Sequence, residues 1–387
     1  MLRLREICCV AILTVTSLPQ QANAQATISL GVETRVDALF TIDPGGASTL
    51  DQIVKGYIAS SLVRDGFGSF DVAVQNNGGA YLAAVAGVND QQYVDRFTNI
   101  LSSGDAAYAA VLAMQATGRW KSGWKFLMPL GMAIENNKTL EIMDFPPNTL
   151  ITNRDYLNSK TTERWFAMLE ENGVPSSGVQ SFTAILDIAP IAAPANDGPA
   201  LLAANAYGGD FDSYTSQMLD LWTSMPEAQL RRPAVAFGGP IRTWLNRVYG
   251  LNLKILDVAA IPMGKGAIPI LVSNHPSRIF YAAEQYPNDP DANFAFAFYM
   301  MRQDAAASCW QADMGNDPKQ DPTKVRDSCV SKWAGRNFEI CRLAEMQAFH
   351  LTASAASSTC NQKQLPPPRP ATEMLVPVLE GDVLRAE

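Results

Sequence analysis

The stretch Ile268-Pro269-Ile270-Leu271-Val272-Ser273-Asn274-His275-Pro276-Ser277 is an apolar run that halts at a polar, proline-bearing turn. A short apolar run bounded in this way predicts a buried strand over 268–273. The same pattern recurs upstream. Residues 234–237 form a short apolar strand that ends at Gly238-Gly239-Pro240, and residues 182–188 (Phe-Thr-Ala-Ile-Leu-Asp-Ile) are as continuously apolar as a parallel strand buried on both faces. A fourth strand is predicted over 149–152, after the stiff Phe145-Pro146-Pro147. Helical stretches separate these runs: a charged one over 161–171 closed by Asn172-Gly173, one over 213–225 with Asp212 as its cap, and one over 241–249. Another starts within 279–285. Strands alternating with helices predict an α/β fold in three layers. A short, mostly parallel sheet is flanked by helices, and ligands bind at the strand carboxyl ends.

Around this core, residues 141–290, the chain changes character. Region 25–140 reads as mainly helical and packed on the core, after an alternating strand or hairpin over 27–43. Helices bearing cysteines are expected within 291–361, over 294–301 and 337–353. Residues 362–387, with Pro366-Pro367-Pro368-Arg369-Pro370, read as an extended tail.

The first 24 residues resemble a secretory leader. Arg3 and Arg5 precede an apolar stretch over 7–18, and Ala22-Asn23-Ala24 supplies the small-x-small cleavage pattern. No later stretch reaches 18 uninterrupted apolar residues, so an exported protein without an integral membrane segment is expected. Of six cysteines, Cys8 and Cys9 fall in the leader, which leaves Cys309, Cys329, Cys341 and Cys360. An even number in an exported chain predicts two disulfides with three connectivities open. Sequential pairing would close loops of about 20 residues, each contributing roughly 3 kcal/mol.

The chain has 387 residues, 47% of them hydrophobic and 18% charged, which excludes wholesale disorder. Its formal charge of −8 gives no general attraction to nucleic acid or anionic membranes. The charge is uneven, however. Residues 141–230 carry 3 basic and 12 acidic side chains, whereas 231–286 carry 7 basic and 2 acidic, a segment able to meet phosphates or to act as a solvated face.

Chemistry concentrates at the predicted strand ends. His275 follows a buried strand directly, whereas His350, the other histidine, sits in an apolar helical context with Met346, Phe349 and Leu351 and reads as a packed or surface residue. The strand over 149–152 would deliver Asn153-Arg154-Asp155-Tyr156, where Asp155 is either a solvated turn residue or a general base. Asp187 lies in so apolar a run that it must find hydrogen bonds or shift its pKa upward. Base, donor and polar selector at three strand ends form a candidate constellation. No G-x-S-x-G elbow occurs, and two histidines are few for a metallohydrolase.

The strand followed by Asn274-His275-Pro276-Ser277 resembles the second signature of the uracil-DNA glycosylase superfamily, over roughly residues 145–285. The resemblance implies that Asp155 orients the attacking water and that His275 donates to the departing base. It also implies that Asn153, Tyr156, Asp187, Asn274 and Ser277 contact the ligand, with Ile279 near an apolar wedge. Asp187 stands where that family carries a base-reading amide, and Asn153-Arg154 replace its Gly-Gln. An ionised Asp187 accepts hydrogen bonds only and suits an amino-bearing base. The implied activity is hydrolysis or binding of an N-glycosidic nucleobase substrate, as a small molecule or in a single strand, with no cofactor. The alternatives are a non-catalytic periplasmic binding protein on the same fold, or a periplasmic hydrolase of another class.

Overall fold

The computed structural model describes residues 39–40, 100, 109–110, 113–114, 116–121, 124–127, 138–145, 160–175, 182–193, 197, 209–223, 232–264, 266–363 and 365. Strands β1 (Leu39–Phe40), β2 (Lys125–Leu127) and β5 (Ile191–Ala192) make a small antiparallel sheet in the order β1-β2-β5. The main sheet contains β3 (Thr139–Met143), β4 (Thr183–Asp187), β6 (Ala234–Phe237), β7 (Val258–Met263) and β8 (Gly266–Ser273), in the order β4-β3-β6-β8-β7. Its first four strands in that order run parallel, and β7 pairs antiparallel to β8. The expected mostly parallel α/β sheet is therefore present.

Helix α1 (Lys160–Glu171) connects β3 to β4, α2 (Asp212–Thr223) lies between β4 and β6, and α3 (Gly238–Tyr249) follows β6. The chain moves one way along the sheet from β3 to β4 and the opposite way thereafter. Right-handed crossovers consequently put α1 on one face and α2 and α3 on the other. The α1 face is shared with a 3₁₀ helix, Pro276–Glu284, and with the long α4 (Pro290–Asn316). Helices α5 (Pro322–Ala334), α6 (Asn337–Ala348) and α7 (Ala353–Gln362) complete the carboxyl-terminal layer. The disulfides are sequential: Cys309–Cys329 joins α4 to α5 and Cys341–Cys360 joins α6 to α7.

Helix α4 is buried around nearly its whole circumference. A Cβ on Gly315 would sit 2.5 Å from the Phe182 ring and 2.6 Å from Thr139 Cγ2, so the absence of a side chain lets the helix lie directly on the strands. From there Gln311 Nε2 donates to Thr139 Oγ1 at 3.0 Å and to Glu141 Oε1 at 3.1 Å, and Trp165 Nε1 donates to Gln311 Oε1 at 2.7 Å. These bonds satisfy polar groups in the interior of the sheet.

Several elements depart from the sequence expectations. The first strand of the main sheet is β3, ten residues before the stretch 149–152, which lies outside the described residues. The helix expected over 241–249 begins at Gly238, with no loop after β6, because Gly238 turns the chain at φ +86°. Helix α5 begins at Pro322 behind a capping Asp321, which accepts from Thr323 N at 2.9 Å and Lys324 N at 3.1 Å. The helix expected over 337–353 is instead two helices: His350 takes φ +55° in the joint, exposed rather than helical, and Thr352 caps α7. Among the described residues, no helix is long and apolar enough to cross a membrane.

Candidate active site at the carboxyl edge of the sheet

Ligands of open α/β sheets bind where the strand order reverses, which here lies between β3 and β6. Met143 is in register with Asp187, Ile142 with Ala236, and Phe237 with Ser273. One residue beyond this row the chain presents Asp144 after β3, Gly238 after β6 and Asn274 after β8, with His275 next. Asp187 and His275, both expected at strand ends, thus occupy the same edge of one sheet. They are separated by three strand spacings, about 14 Å, too far apart to act on one atom. Asn153, Asp155 and Tyr156 lie outside the described residues.

The acid that β3 delivers to this edge is Asp144, which the sequence pattern does not single out. It is 6% exposed, its Oδ1 has no hydrogen-bond partner, and burial lifts its pKa to about 7. Such a group changes ionisation near neutrality, as a general base requires. The signal that could have found it is its place just before Phe145-Pro146-Pro147, where a strand must stop. Glu141 interrupts the apolar run, and this conceals the strand.

His275 caps the 3₁₀ helix. Its Nδ1 accepts from Ser277 N–H at 3.3 Å and lies 2.7 Å from Ser277 Oγ. A backbone N–H can only donate, so Nδ1 carries no proton and the neutral ring holds its proton on Nε2. Burial, reinforced by the nearby positive charge of Arg164, pushes the imidazole pKa down to about 4. The ring is a neutral Nε2–H donor across the physiological range. It also leans over the neighbouring strand, since a Cβ on Gly238 would lie 3.1 Å from His275 Cβ. Asp144 and His275 therefore flank Gly238 from the two strands beside β6.

The other expected contacts are used inside the protein. Asn274 Nδ2 donates to Gln303 Oε1 at 2.9 Å and to Asp304 Oδ1 at 3.2 Å, and Ser277 holds the imidazole. Ile279 is fully buried in the core and offers no apolar surface to a ligand. Asp187 is 4% exposed and interacts within the protein.

A scan of family models, a search of curated proteins and a search of solved structures each return no match to this chain. The site is therefore read from its own chemistry. The basic segment over 231–286 is partly committed: Arg232 is buried with its guanidinium 5.0 Å from the Trp222 ring centroid, and Arg247 Nη2 donates to Asp212 at 2.8 Å. Among the described residues, Cys309, Asp313 and Cys329 have the spacing of metal ligands, but the two sulfurs are bonded to each other. Lys332 Nζ also stands 3.8 Å from Cys309 Sγ and opposes a cation there.

Proposed function

We propose that this protein hydrolyses the N-glycosidic bond of a nucleobase-containing small molecule at the carboxyl edge of its sheet. The observation that carries the reading is that a buried Asp144 carboxyl, whose Oδ1 lacks a hydrogen-bond partner, and a single-tautomer His275 lie on either side of Gly238. In this reading Asp144 takes the role that the family resemblance gave to Asp155. Its carboxylate orients a water molecule and accepts its proton as the water oxygen bonds to the anomeric carbon. The C–N bond breaks, its electron pair leaves with the base, and His275 Nε2–H donates to the anion that develops. The partial commitment of the basic segment favours a nucleoside-sized ligand over a strand, because Arg232 and Arg247 have protein partners. The leader-like first 24 residues and the two disulfides support an exported protein.

The test is base release from a panel of ribo- and deoxyribonucleosides and from uracil- and cytosine-containing single strands. Release from nucleosides should exceed release from the strands, and His275→Ala should lower the rate about 10²–10³-fold. Absence of release by protein that melts cooperatively, with saturable nucleoside binding by calorimetry, would replace hydrolysis with the binding-protein reading. Absence of both would overturn the site.

A further inference from the structure

Arg164 on α1 and Asp304 on α4 form an ion pair with side chains 1% and 0% exposed, Nη2 to Oδ2 at 2.6 Å. Such a pair is a poor device for stability alone. Desolvating both charges offsets most of their attraction, and apolar replacements of similar volume are often as stable. Arg164 even leaves its Nε without a hydrogen-bond partner. The pair's remaining bonds converge on one place in the chain. Arg164 Nη1 donates to the carbonyl of Pro276, and Asp304 Oδ1 accepts from Asn274 Nδ2 at 3.2 Å. Asn274 and Pro276 are the two neighbours of His275. The pair thus holds the main chain of Pro276 on one side of the imidazole and the side chain of Asn274 on the other, while Gln303 adds a second hold on Asn274 at 2.9 Å.

We propose that Arg164 and Asp304 are positioning residues that fix the turn around His275 and so hold its ring on Ser277 with Nε2–H directed into the site. The planar guanidinium explains the choice of arginine. One branch serves the carboxylate and the other a main-chain carbonyl, whereas a lysine ammonium on a flexible stem has no such fork. Helices α1 and α4 are both packed against the 3₁₀ helix that His275 caps, so they form a rigid frame for the clamp. The charged groups around it are Arg164, Asp304 and Arg278, whose charge also acts on Asp304. The purpose of the clamp rests on the function proposed above, but its effect on the imidazole does not.

The experiment exploits the histidine content. The chain holds two histidines, and His350 sits exposed in the α6–α7 joint, so imidazole ¹⁵N spectra of the full chain report His275 against an internal control. Wild type should show one His275 tautomer, protonated at Nε2, through the neutral range. Arg164→Lys keeps the charge beside Asp304 but removes the fork. The double variant Arg164→Met/Asp304→Leu removes the clamp and leaves no buried charge behind. In either variant, folded by its melting curve, His275 should show both tautomers or exchange broadening and titrate closer to its ordinary value. The His350 signals should stay put. Where wild type releases base, kcat should fall at least tenfold with KM little changed.

A folded variant whose His275 tautomer, line width and titration match wild type overturns the proposal. Failure of both variants to fold also overturns it, because the pair would then be a structural strut. Loss of the single tautomer in protein that never releases a base would sink the proposed function and leave the clamp standing.

Discussion

Two carboxyls, one within β3 and one just after it, set the ionisation behaviour of the molecule. Asp144 and Glu141 are both raised to about 7 by burial, and Glu141 is only partly relieved by hydrogen bonds from Gln311 and Thr183. For Asp144 the functional consequence is a sign. The ionised form is the base, so activity should climb with pH and reach half its maximum near pH 7, with no second inflection from His275 above pH 5. Asp144→Asn should abolish most of the rate and flatten the profile, as initial rates from pH 5 to 9 would show. For Glu141 the consequence is stability. A folded-state pKa above the unfolded one contributes stability that is present below about pH 4.5 and lost as pH rises through 7. The loss is on the order of 3 kcal/mol. Glu141→Gln should therefore raise the melting temperature at pH 8 and leave it almost unchanged at pH 4. An equal shift at both pH values would contradict the assignment. Glu141 is also why β3 escaped the sequence reading: a charged residue inside a five-residue strand looks like an interruption until Gln311 is known to face it.

Among the elements, the direct passage from β6 into α3 most affects the site. Phe237 occupies the cap position without a side-chain hydrogen bond, and Gly238 turns the chain at φ +86° beneath His275. Gly238→Ala would meet both backbone strain and a contact at 3.1 Å, for a cost of about 1–3 kcal/mol. We expect a moderate drop in melting temperature but a disproportionate loss of base release, because the added methyl group displaces the imidazole. A rate loss no larger than the stability loss implies would count against it. Strands β4, β6 and β8 were legible because each is an apolar run between turn residues. Strand β7 was not, because it lies at the edge with most of its residues part-exposed and Pro262 within it. Helix α4 was foreseen only in part: buried almost all round, it lacks the single apolar stripe that periodicity detects. The start of α5 is written in the sequence as Asp321-Pro322, a cap followed by a proline at the first helical position.

At the scale of the whole molecule, the carboxyl-terminal helices both close the core and carry the frame of the site. The two disulfides span separations of 20 and 19 residues, and each contributes roughly 3 kcal/mol in the chain-entropy picture. Reduction under non-denaturing conditions should lower the melting temperature by several degrees. Cys309→Ala/Cys329→Ala should also disturb the imidazole signal of His275, since α4 carries Asp304 about one and a half turns before Cys309. Cys341→Ala/Cys360→Ala should leave that signal largely intact. Thermal melts combined with the same nitrogen spectra would separate the two pairs. Composition and cysteine parity made the existence of these bridges legible, but parity leaves pairing open, and only the helix hairpins decide it.

The bonds from Gln311 to Thr139 and Thr183 bridge separations of 172 and 128 residues. A ribosome therefore finishes β3, β4, β6 and β8 before it makes the helix that covers their face. Through that interval the nascent sheet has a greasy flank studded with hydroxyls and a carboxyl that await an amide not yet synthesised. Contacts this distant slow folding and prolong exposure to self-association. A chaperone that shields the growing chain until its last quarter emerges would thus do for the nascent sheet what α4 does for the finished one.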